Sequence, residues 1–598
     1  MKSDNNYKRN LLAQWAFDTS PILGRFHIWL EDIEVEWVKG EVKDEFTRNI
    51  SFLNGKLERM FALSGAITAL GTQLFGRFGE GKDLDKTGLN HVKKDADAIS
   101  AYALSESLWY LSRHLPENHA IMVSLGEGLM PKAGETPEMG SNPQLGFGRV
   151  YARPEVAKYL DGLVIKLLND ENYNWSCFYK DLRTSGITVW GTAIDTLENT
   201  SRFAKGKETG PMTVIHLFDQ PLKVTKPYEG YIGNIFLTSE VAKRAEKDSI
   251  FISFRTKRRQ IVEIIEKTYP GIKRENIHVW TLRGKSREVR LGRLWKEWSD
   301  LGVHLVETGW KMPSGMEAFT DSGTYAPVYS VSSWKDENGE TNLFICDGYA
   351  ASAEAVQAAS LAPSLGIRAY LTILTSNFKN SYDIENNIMS LDWKNENFVK
   401  NLKTVLRKEN IDKETVDVYK NMIIQASEAG IPVHKGNINA DDFMPEKEWS
   451  MLAISGFMKT DPYSGFKGVK EISPGSYRVG VRLLSRNGEK IIYFTLKLLE
   501  SFKESKLVFN PLLNRFLAGE NYKERPVKIS DSGRIRNELQ TLCSDALEFQ
   551  EDEKIILHLS MISDDVISPD DQKKIKEILH WYLKEHPIWF SWLVLSDM

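Results

Sequence analysis

The sequence predicts an α/β protein containing an open, mostly parallel twisted sheet with helices on both faces. Two observations lead to this fold class. Between residues 250 and 307, short apolar runs alternate with amphipathic helical stretches, which is the spacing of parallel strand–helix–strand units. The same alternation continues to residue 380 through a further apolar run and an alanine-rich stretch. The composition is that of an ordinary globular protein, with 42% hydrophobic and 26% charged residues.

The elements of this predicted sheet can be placed in chain order. Helices are predicted where apolar residues recur at helical spacing, at 257–269, 287–301 and 350–361. Strands are predicted at the short apolar runs 212–218, 250–254, 277–282, 303–307, 327–332, 343–346 and 368–374.

Outside this sheet, further elements follow from the same patterns. We predict helices at 44–75, 93–114, 154–168, 413–429 and 568–586, and strands at 120–125, 187–190 and 554–560. Asn487-Gly488 between two β-rich runs, 477–484 and 490–498, predicts a tight hairpin, because both central residues of a type I′ turn take positive φ.

The length predicts several domains, since 598 residues is about four times a typical domain. We divide the chain into four regions by element type and composition. They are a mainly helical N-terminal region (1–118), a mixed α/β segment with a long Gly/Pro loop (119–209), a doubly wound α/β domain (210–380) and a C-terminal α+β region with the hairpin (381–598).

Charge and cysteine content restrict the classes of function. The formal net charge is −4, from 77 basic and 81 acidic residues, so no overall excess of positive charge favours nucleic acid. Three scattered cysteines argue against a disulfide framework and for a reducing compartment. With a polar first ten residues and no long apolar run, we expect a soluble, cytoplasmic protein with no membrane partner.

Common sequence motifs are absent. Gly284-Lys285-Ser286 supplies the end of a Walker A loop, but Val279 stands where its first glycine belongs. Gly146-Phe147-Gly148 begins a dinucleotide-binding pattern that lacks its last glycine. Zinc-ligand motifs and a Gly-x-Ser-x-Gly elbow are also missing from the sequence.

Cationic residues follow two of the predicted strands. In an open α/β sheet, ligands bind beyond the carboxyl ends of the strands, where helix N-termini favour anions. The predicted anion-binding residues are Arg255, Lys257, Arg283, Gly284, Lys285, Ser286 and Arg287. The alternative is that these side chains form a solvated surface or pair with nearby acidic residues.

Carboxylates follow two other predicted strands. Glu307 and Asp347 are the candidate catalytic residues, as a general base or as ligands of Mg²⁺, and Tyr349 and Ser352 are added as substrate contacts. Asp347-Gly348 is equally consistent with an ordinary strand-to-helix turn. No metal can be assigned from the histidines, and the cofactor is left open, with Mg²⁺ as the one candidate.

Two long loops and a group of tryptophans are further candidates. The loop 309–325 is interpreted as a lid carrying Asp321, Ser322 and Thr324 or as a surface excursion, and the loop 126–150 is a second candidate.

Large core side chains are the favoured interpretation of the tryptophans, with a stacking platform for a ligand as the alternative. The five that lie close together in the sequence are Trp280, Trp295, Trp298, Trp310 and Trp334.

The sequence favours an enzyme acting on a small anionic metabolite, phosphorylated or carboxylated, at the carboxyl edge of the sheet. Its reaction class is left open, as is assembly into a homo-oligomer. One alternative is a non-catalytic protein that senses a ligand or supports assembly, and another is a nucleotide-dependent transferase with a degenerate phosphate loop. An enzyme of the first kind predicts that Lys285→Ala and Asp347→Ala leave the fold intact and weaken ligand binding.

Overall fold

The structure of the protein is a computed structural model. The structure describes residues 28–40, 56–112, 115–126, 145, 148–170, 172–223, 231–254, 256–375, 436–439, 451–485 and 488–498. Several predicted features lie outside these residues: most of the loop 126–150, the helices at 413–429 and 568–586, the strand at 554–560 and the hairpin turn.

Within the described residues, the first sheet has nine strands drawn from distant parts of the chain. They are β1 (Ile28–Gly40), β2 (His119–Leu125), β3 (Val150–Ala152), β4 (Thr188–Glu198), β5 (Met212–Phe218), β13 (Met451–Phe457), β14 (Val469–Ser473), β15 (Ser476–Ser485) and β16 (Gly488–Leu498). Their order is β1-β16-β15-β13-β5-β4-β2-β3, with β14 paired to β15. The pairing of β2 with β4 is parallel, and the other pairings of this sheet are antiparallel.

The second sheet has seven strands in the part of the chain that the structure describes, mostly from the middle of the sequence. They are β6 (Tyr231–Thr238), β7 (Ile277–Trp280), β8 (His304–Leu305), β9 (Ser332–Lys335), β10 (Thr341–Ala351), β11 (Ile367–Thr375) and β12 (Gly436–Asn439). Their order is β12-β11-β6-β10-β7-β8, with β9 paired to β10.

Helices cover both sheets. They are α1 (Lys56–Phe75), α2 (Lys86–Ser112), α3 (Pro154–Asn169), α4 (Trp175–Ser185), α5 (Thr200–Ala204), α6 (Ser239–Lys247), α7 (Arg258–Thr268), α8 (Lys285–Asp300), α9 (Tyr325–Val328) and α10 (Ser352–Leu365). None of the helices in the described part of the chain is long and apolar enough to cross a membrane.

The alanine-rich helix α10 lies between the two sheets. It contacts β4 of the first sheet and β6, β10 and β11 of the second. Its alanines are buried in the core that the sheets share. Small side chains let two sheets approach the same helix closely, which explains why this stretch is rich in alanine. On the far side of the first sheet, α1 packs against β5, β13 and β15, and α2 packs against α1.

The α/β class is confirmed, but the mostly parallel arrangement is not. In the second sheet, β7 pairs in parallel with β8 and with β10, whereas β6 is antiparallel to both of its neighbours. The pairs β11–β12 and β9–β10 are antiparallel too. The sheet is therefore mixed, with its parallel part confined to β7, β8 and β10.

Two strand predictions are wrong. Residues 250–254 form no strand, and Phe254 instead contacts Gly233 of β6 through its ring and accepts a bond from Arg258. Residues 327–332 contain the end of α9 and a turn before β9. Most residues of both runs are buried, although Phe251 is 66% exposed. Apolar content alone does not distinguish a buried loop from a strand.

Other predicted elements are present. Helices α7, α8 and α10 and strands β7, β10 and β11 occur where periodicity places them, and β15 and β16 form the expected hairpin. Strand β10 is longer than predicted and extends to Ala351, so Asp347 lies within the strand and not after it.

Candidate functional site

The predicted cationic residues Arg283 to Arg287 lie at the start of α8, after strand β7. Gly284 has a φ of 128°, a conformation that favours glycine, and helix α8 begins at the next residue. Lys285 is exposed and forms no ion pair with a described residue, while Arg283 and Arg287 are half-buried. The side chain of Ser286 lies outside the described structure.

The segment 320–324 contacts this cationic helix start directly. Arg283 donates its backbone N–H to the carbonyl oxygen of Thr320 at 2.7 Å. Arg287 donates from Nη1 to the carbonyl oxygen of Asp321 at 2.8 Å. The loop 309–325, predicted to lie beside this sheet edge, therefore ends in a segment that is bonded to it.

A third arginine approaches the same segment from the first sheet. Arg202, in α5, donates from Nη1 to Oδ1 of Asp321 at 2.6 Å, and the Asp321 side chain is 46% exposed. The guanidinium of Arg202 is fixed by a bond from Nε to the carbonyl oxygen of Thr209 and by the ring of Phe319, 4.4 Å away. The 320–324 segment thus joins cationic groups from both sheets.

Carboxylates meet the other end of the segment. Thr324 donates both its backbone N–H and its hydroxyl group to Oε1 of Glu354, in the first turn of α10. Glu354 is half-buried, so this end of the segment retains access to solvent. The Glu354 carboxyl group is in hydrogen-bonding contact with that of Glu198, at the end of β4.

Glu198 and Asn199 present oxygens that lack donors. Glu198 is 2% exposed and Asn199 is 5% exposed. Neither Oε1 of Glu198 nor Oδ1 of Asn199 accepts a hydrogen bond within the described structure. Both lie 2.3 Å from the position that a β-carbon at Gly323 would take, so they converge on the same point of the 320–324 segment.

Burial and neighbouring charge raise the pKa of Glu198 well above its usual range. Burial is the larger cause, and the carboxylates of Glu354 and Asp195 add to it, because a negative charge is least stable where water is excluded and other negative charges are near. Asp195 is half-buried and accepts the backbone N–H of Leu197 at 3.1 Å. We call Asp195, Glu198, Asn199 and Glu354 the carboxylate cluster.

The sequence contained signals for this cluster that periodicity does not reveal. Asp195 and Glu198 lie in a strand that is otherwise apolar or uncharged, and Glu354 is the one charged residue in the alanine-rich stretch 350–361. Charged side chains are rarely buried without a specific partner, so such isolated charges indicate a site. Arg202 carried no comparable signal, because its partner is distant in sequence.

Asp347, one of the two predicted catalytic residues, forms a buried ion pair. It receives Nε of Arg258 at 2.8 Å and Nη2 at 3.0 Å, and both side chains are fully buried. Trp298 donates its indole N–H to Asp347 at 2.8 Å. Asp347 has no hydrogen bond or ion pair to the 320–324 segment in the described structure.

Glu307, the other predicted catalytic residue, is exposed beyond β8. Its Oε2 lies 3.2 Å from Nε2 of His304. The structure therefore brings neither Glu307 nor Asp347 into a hydrogen bond with the carboxylate cluster.

The remaining predicted contacts are dispersed. Lys257 is exposed immediately before α7, and Arg255 lies outside the described residues. Tyr349 and Ser352 lie at the end of β10 and the start of α10, where their backbones but not their side chains are described.

The five clustered tryptophans take part in packing and internal bonds. Trp280 and Trp298 are buried, and their indole N–H groups donate to Phe319 and Asp347. Trp295 donates to the carbonyl oxygen of Leu282, and the guanidinium of Arg283 lies 5.9 Å from its ring. The rings of Trp310 and Trp334 lie against that of His278.

Within the described residues, no group of three or more His, Cys, Asp or Glu side chains is arranged to hold a metal ion.

Comparison with known proteins gives no relative from which a function could be inferred. No protein family model matches the sequence, and no curated protein matches it.

Proposed function

We propose that the protein is an enzyme that binds a small phosphorylated or carboxylated metabolite where the 320–324 segment joins the start of α8 to the carboxylate cluster. One observation carries this proposal. The same five-residue segment is bonded to arginines at one end and, at the other, to the half-buried Glu354, whose carboxyl group contacts that of the buried Glu198.

The cationic end supplies the anion-binding half of the site. Lys285 lies at the N-terminus of a 16-residue helix, where free backbone N–H groups and the helix dipole favour negative charge. Because Lys285 is exposed and makes no ion pair with the described residues, its charge is available to a ligand. Arg287 and Arg202 hold Asp321 beside it and so fix the geometry of the segment.

The carboxylate end supplies the reactive half. Glu198 and Glu354 are assigned the role that the sequence gave to Glu307 and Asp347, as proton acceptors or as ligands of a cation. The reason is that both oxygens of Asp347 already accept bonds from Arg258, and Glu307 faces His304. A carboxylate that is fully paired in the core is not free to exchange protons with a substrate.

The cellular setting is part of the proposal. Cys177 and Cys346 are free thiols, and burial raises the pKa of Cys346 well above its usual range, which makes it unreactive. We place the enzyme in the cytoplasm, with a small anionic metabolite as its partner and without nucleic acid or membrane.

The test is a thermal-shift screen of the purified chain against sugar phosphates, nucleotides, carboxylic acids and coenzyme A esters, with and without Mg²⁺. A ligand present at 100 times its dissociation constant stabilises the fold by about 2.7 kcal/mol, which is readily seen as a rise in Tm. Lys285→Ala is expected to abolish the rise.

The matched control is Lys296→Ala, on the same helix, where the lysine pairs with Asp300 and is 70% exposed. This variant is expected to respond to the ligand as the wild type does. A hit that survives Lys285→Ala would contradict the proposed anion site. A screen without a hit would contradict the proposal and favour an assembly protein.

A further inference from the structure

A pair of histidines joins β8 to the rest of the second sheet. His278 and His304 are register partners in the parallel pairing of β7 with β8, and their Nδ1 atoms lie 2.7 Å apart. Two ring nitrogens at this distance share one hydrogen bond, in which one nitrogen donates and the other accepts with a bare lone pair. The contact therefore exists only while one of the two facing nitrogens is unprotonated.

His278 is the acceptor in this contact. Its Nε2 lies 3.0 Å from Oδ1 of Asn342, whose Nδ2 is used to donate to Asp336 and to the carbonyl oxygen of Glu340. The proton of His278 is thus on Nε2, and its bare Nδ1 faces His304. A second proton on His278 would place two N–H groups opposite each other.

The charged groups around the pair do not take over this bond. Glu307 faces Nε2 of His304 at 3.2 Å, on the side away from His278, and Asp336 reaches His278 only through Asn342. Lys335 of β9 and Glu275 before β7 are exposed. Other charged side chains on the surrounding elements form ion pairs of their own, namely Lys273–Glu340, Arg274–Glu266 and Lys296–Asp300.

His278 takes up its second proton below pH 6.5. Burial is the largest cause that lowers the pKa of His278, the bond to Asn342 opposes it, and the neighbouring His304 adds to it. The rings of Trp310 and Trp334 lie 4.8 and 5.5 Å from the His278 ring, and aromatic faces favour a positive charge. A protonated His278 is therefore held in place between these indoles.

His304 is the partner that can move. It is half-buried and belongs to the two-residue strand β8, which stands last in the strand order of the described part of the second sheet. Its contact with His278 is one of the two register pairs that join β8 to β7, the other being Leu305 with Val279. Repulsion between two N–H groups at this position therefore opposes the pairing of β8 itself.

Strand β8 leads directly into the 320–324 segment. Oγ1 of Thr308 accepts the backbone N–H of Thr320 at 3.3 Å, and the hydroxyl oxygens of the two residues are 3.2 Å apart. The carbonyl oxygen of Trp310 accepts the backbone N–H of Ala318 at 2.7 Å, and the Trp310 ring lies 5.4 Å from that of His304. Displacement of β8 would therefore act on both ends of the loop 309–325.

We propose that the contact between His278 and His304 is a pH-sensitive switch that controls the position of the loop 309–325. At neutral pH the contact holds β8 against β7 and keeps the 320–324 segment at the start of α8. Protonation of His278 releases β8 and the loop. The effect of this release on a ligand rests on the proposed function, whereas the release itself does not.

Hydrogen–deuterium exchange of the full chain at pH 7, 6 and 5, followed by mass spectrometry, tests the release. Each observed rate is compared with the intrinsic rate at the same pH, so that protection is measured. In the wild type we expect peptides from 303–324 to lose protection as the pH falls, by up to about tenfold per pH unit for the one proton taken up. Peptides from β10 and α10 are expected to stay protected.

His304→Asn distinguishes the switch from other effects of acid. An asparagine amide can donate to the bare Nδ1 of His278 at pH 7 and can rotate to offer its oxygen once His278 is protonated. This variant is expected to keep the loop protected at all three pH values. His278→Phe keeps a ring between the indoles but removes the acceptor, so we expect lower protection that does not change with pH.

His91→Gln is the matched control, since His91 is exposed on α2. This variant is expected to respond to pH as the wild type does. Equal protection of 303–324 at pH 7 and pH 5 in the wild type would overturn the switch. A loss that persists in His304→Asn, or one spread evenly over both sheets, would overturn it too, because acid would then act elsewhere.

Sulfate is the probe for the ligand step, because it remains a dianion between pH 7 and pH 5. We expect sulfate to raise the Tm of the wild type through Lys285 at pH 7 and to raise it less at pH 5. In His304→Asn the rise should be the same at both pH values. A loop that opens without changing the effect of sulfate would contradict the control of the ligand by the switch.

The switch and the proposed function fail in different ways. If the loop opens in acid but sulfate raises the Tm at neither pH, the switch stands and the proposed anion site is wrong. If sulfate stabilises the fold through Lys285 equally at both pH values and the loop stays protected, the anion site stands and the switch is wrong.

Discussion

His278 and His304 face each other through their Nδ1 atoms, which are 2.7 Å apart. The neighbours of His278 determine where its proton lies. Asn342 uses Nδ2 to donate to Asp336 and to the carbonyl oxygen of Glu340, so its Oδ1 faces Nε2 of His278 at 3.0 Å. His278 therefore carries its proton on Nε2, and its bare Nδ1 accepts from Nδ1–H of His304.

This proton arrangement is the first prediction. In the folded protein, nitrogen chemical shifts measured at neutral pH should identify His278 as the Nε2–H tautomer. Asn342→Leu removes the acceptor that fixes this tautomer and is expected to yield a mixture of both. Observation of the Nδ1–H tautomer of His278 in the wild type would contradict the assignment.

Lowering the pH is expected to break the contact between His278 and His304. Burial lowers the pKa of His278, so the folded state holds it neutral while the unfolded chain becomes protonated near pH 6.5. Because the pKa of His278 is lower in the folded state than in the unfolded chain, His278 contributes to stability above pH 6.5. This contribution is lost as the pH falls. Once His278 is protonated, two N–H groups face each other across the 2.7 Å contact.

His216 is expected to make the whole fold sensitive to acid. It is fully buried between the sheets, where its Nε2 lies 3.2 Å from the hydroxyl of Tyr325, and burial lowers its pKa to about 3. Its stabilising contribution is therefore complete above pH 6.5 and is lost progressively between that pH and about 3. A single buried histidine changes the free energy of unfolding by up to about 1.4 kcal/mol per pH unit.

Denaturant unfolding at pH 7, 6 and 5 measures this dependence. His216→Gln and His216→Phe both remove the basic nitrogen. Both variants are therefore expected to show a smaller change in the free energy of unfolding per pH unit, by similar amounts, although their stabilities at pH 7 differ. If both variants retain the wild-type slope, acid sensitivity arises elsewhere.

Local patterns predicted much of the secondary structure, but they could not predict which strands pair with one another. Amphipathic spacing identified α7 and α8, and the β-rich runs on either side of Asn487 identified the β15–β16 hairpin. Strand direction depends on which strands become neighbours. Strand β6 lies between β10 and β11 and runs antiparallel to both, and β13 joins β5 across more than 200 residues of chain. No local pattern encodes such contacts.

The buried ion pair of Arg258 and Asp347 leads to a prediction opposite to the one made from the sequence, which was that Asp347→Ala leaves the fold intact. Both side chains are fully buried, and Asp347→Asn or Asp347→Ala would leave the Arg258 charge in the core without its partner. Breaking a buried pair in this way destabilises a fold by about 3–5 kcal/mol. We expect a loss of that size in denaturant unfolding, where the sequence predicted an intact fold.

An exposed pair provides the control. Lys296 and Asp300 are 70% and 61% exposed, so Asp300→Asn is expected to change stability by less than about 1 kcal/mol. The double variant Arg258→Met/Asp347→Leu removes both charges together and is expected to recover much of the stability lost by Asp347→Asn. A neutral effect of Asp347→Asn would argue for a functional role of this carboxylate.

The sequence located one half of the candidate site and missed the other. The cationic start of α8 follows from Gly284-Lys285 after an apolar run, which is a local pattern. Asp347 resembled a site residue for the same local reason, but its partner lies 89 residues away in the chain. Glu198 and Glu354 meet only because α10 packs between the two sheets. Contacts of this kind require the tertiary fold.

Gly323 is predicted to be essential for the carboxylate cluster. Its φ is 72°, and a β-carbon there would lie 2.3 Å from both Oε1 of Glu198 and Oδ1 of Asn199. Gly323→Ala therefore combines the strain of a left-handed alanine, about 1–2 kcal/mol, with displacement of both oxygens.

Gly315→Ala is the matched control, because Gly315 has a φ of 83° and no atom near its β-carbon position. We expect Gly323→Ala to lower the free energy of unfolding more than Gly315→Ala does. Equal losses of stability in the two variants would show that the two oxygens do not converge on Gly323.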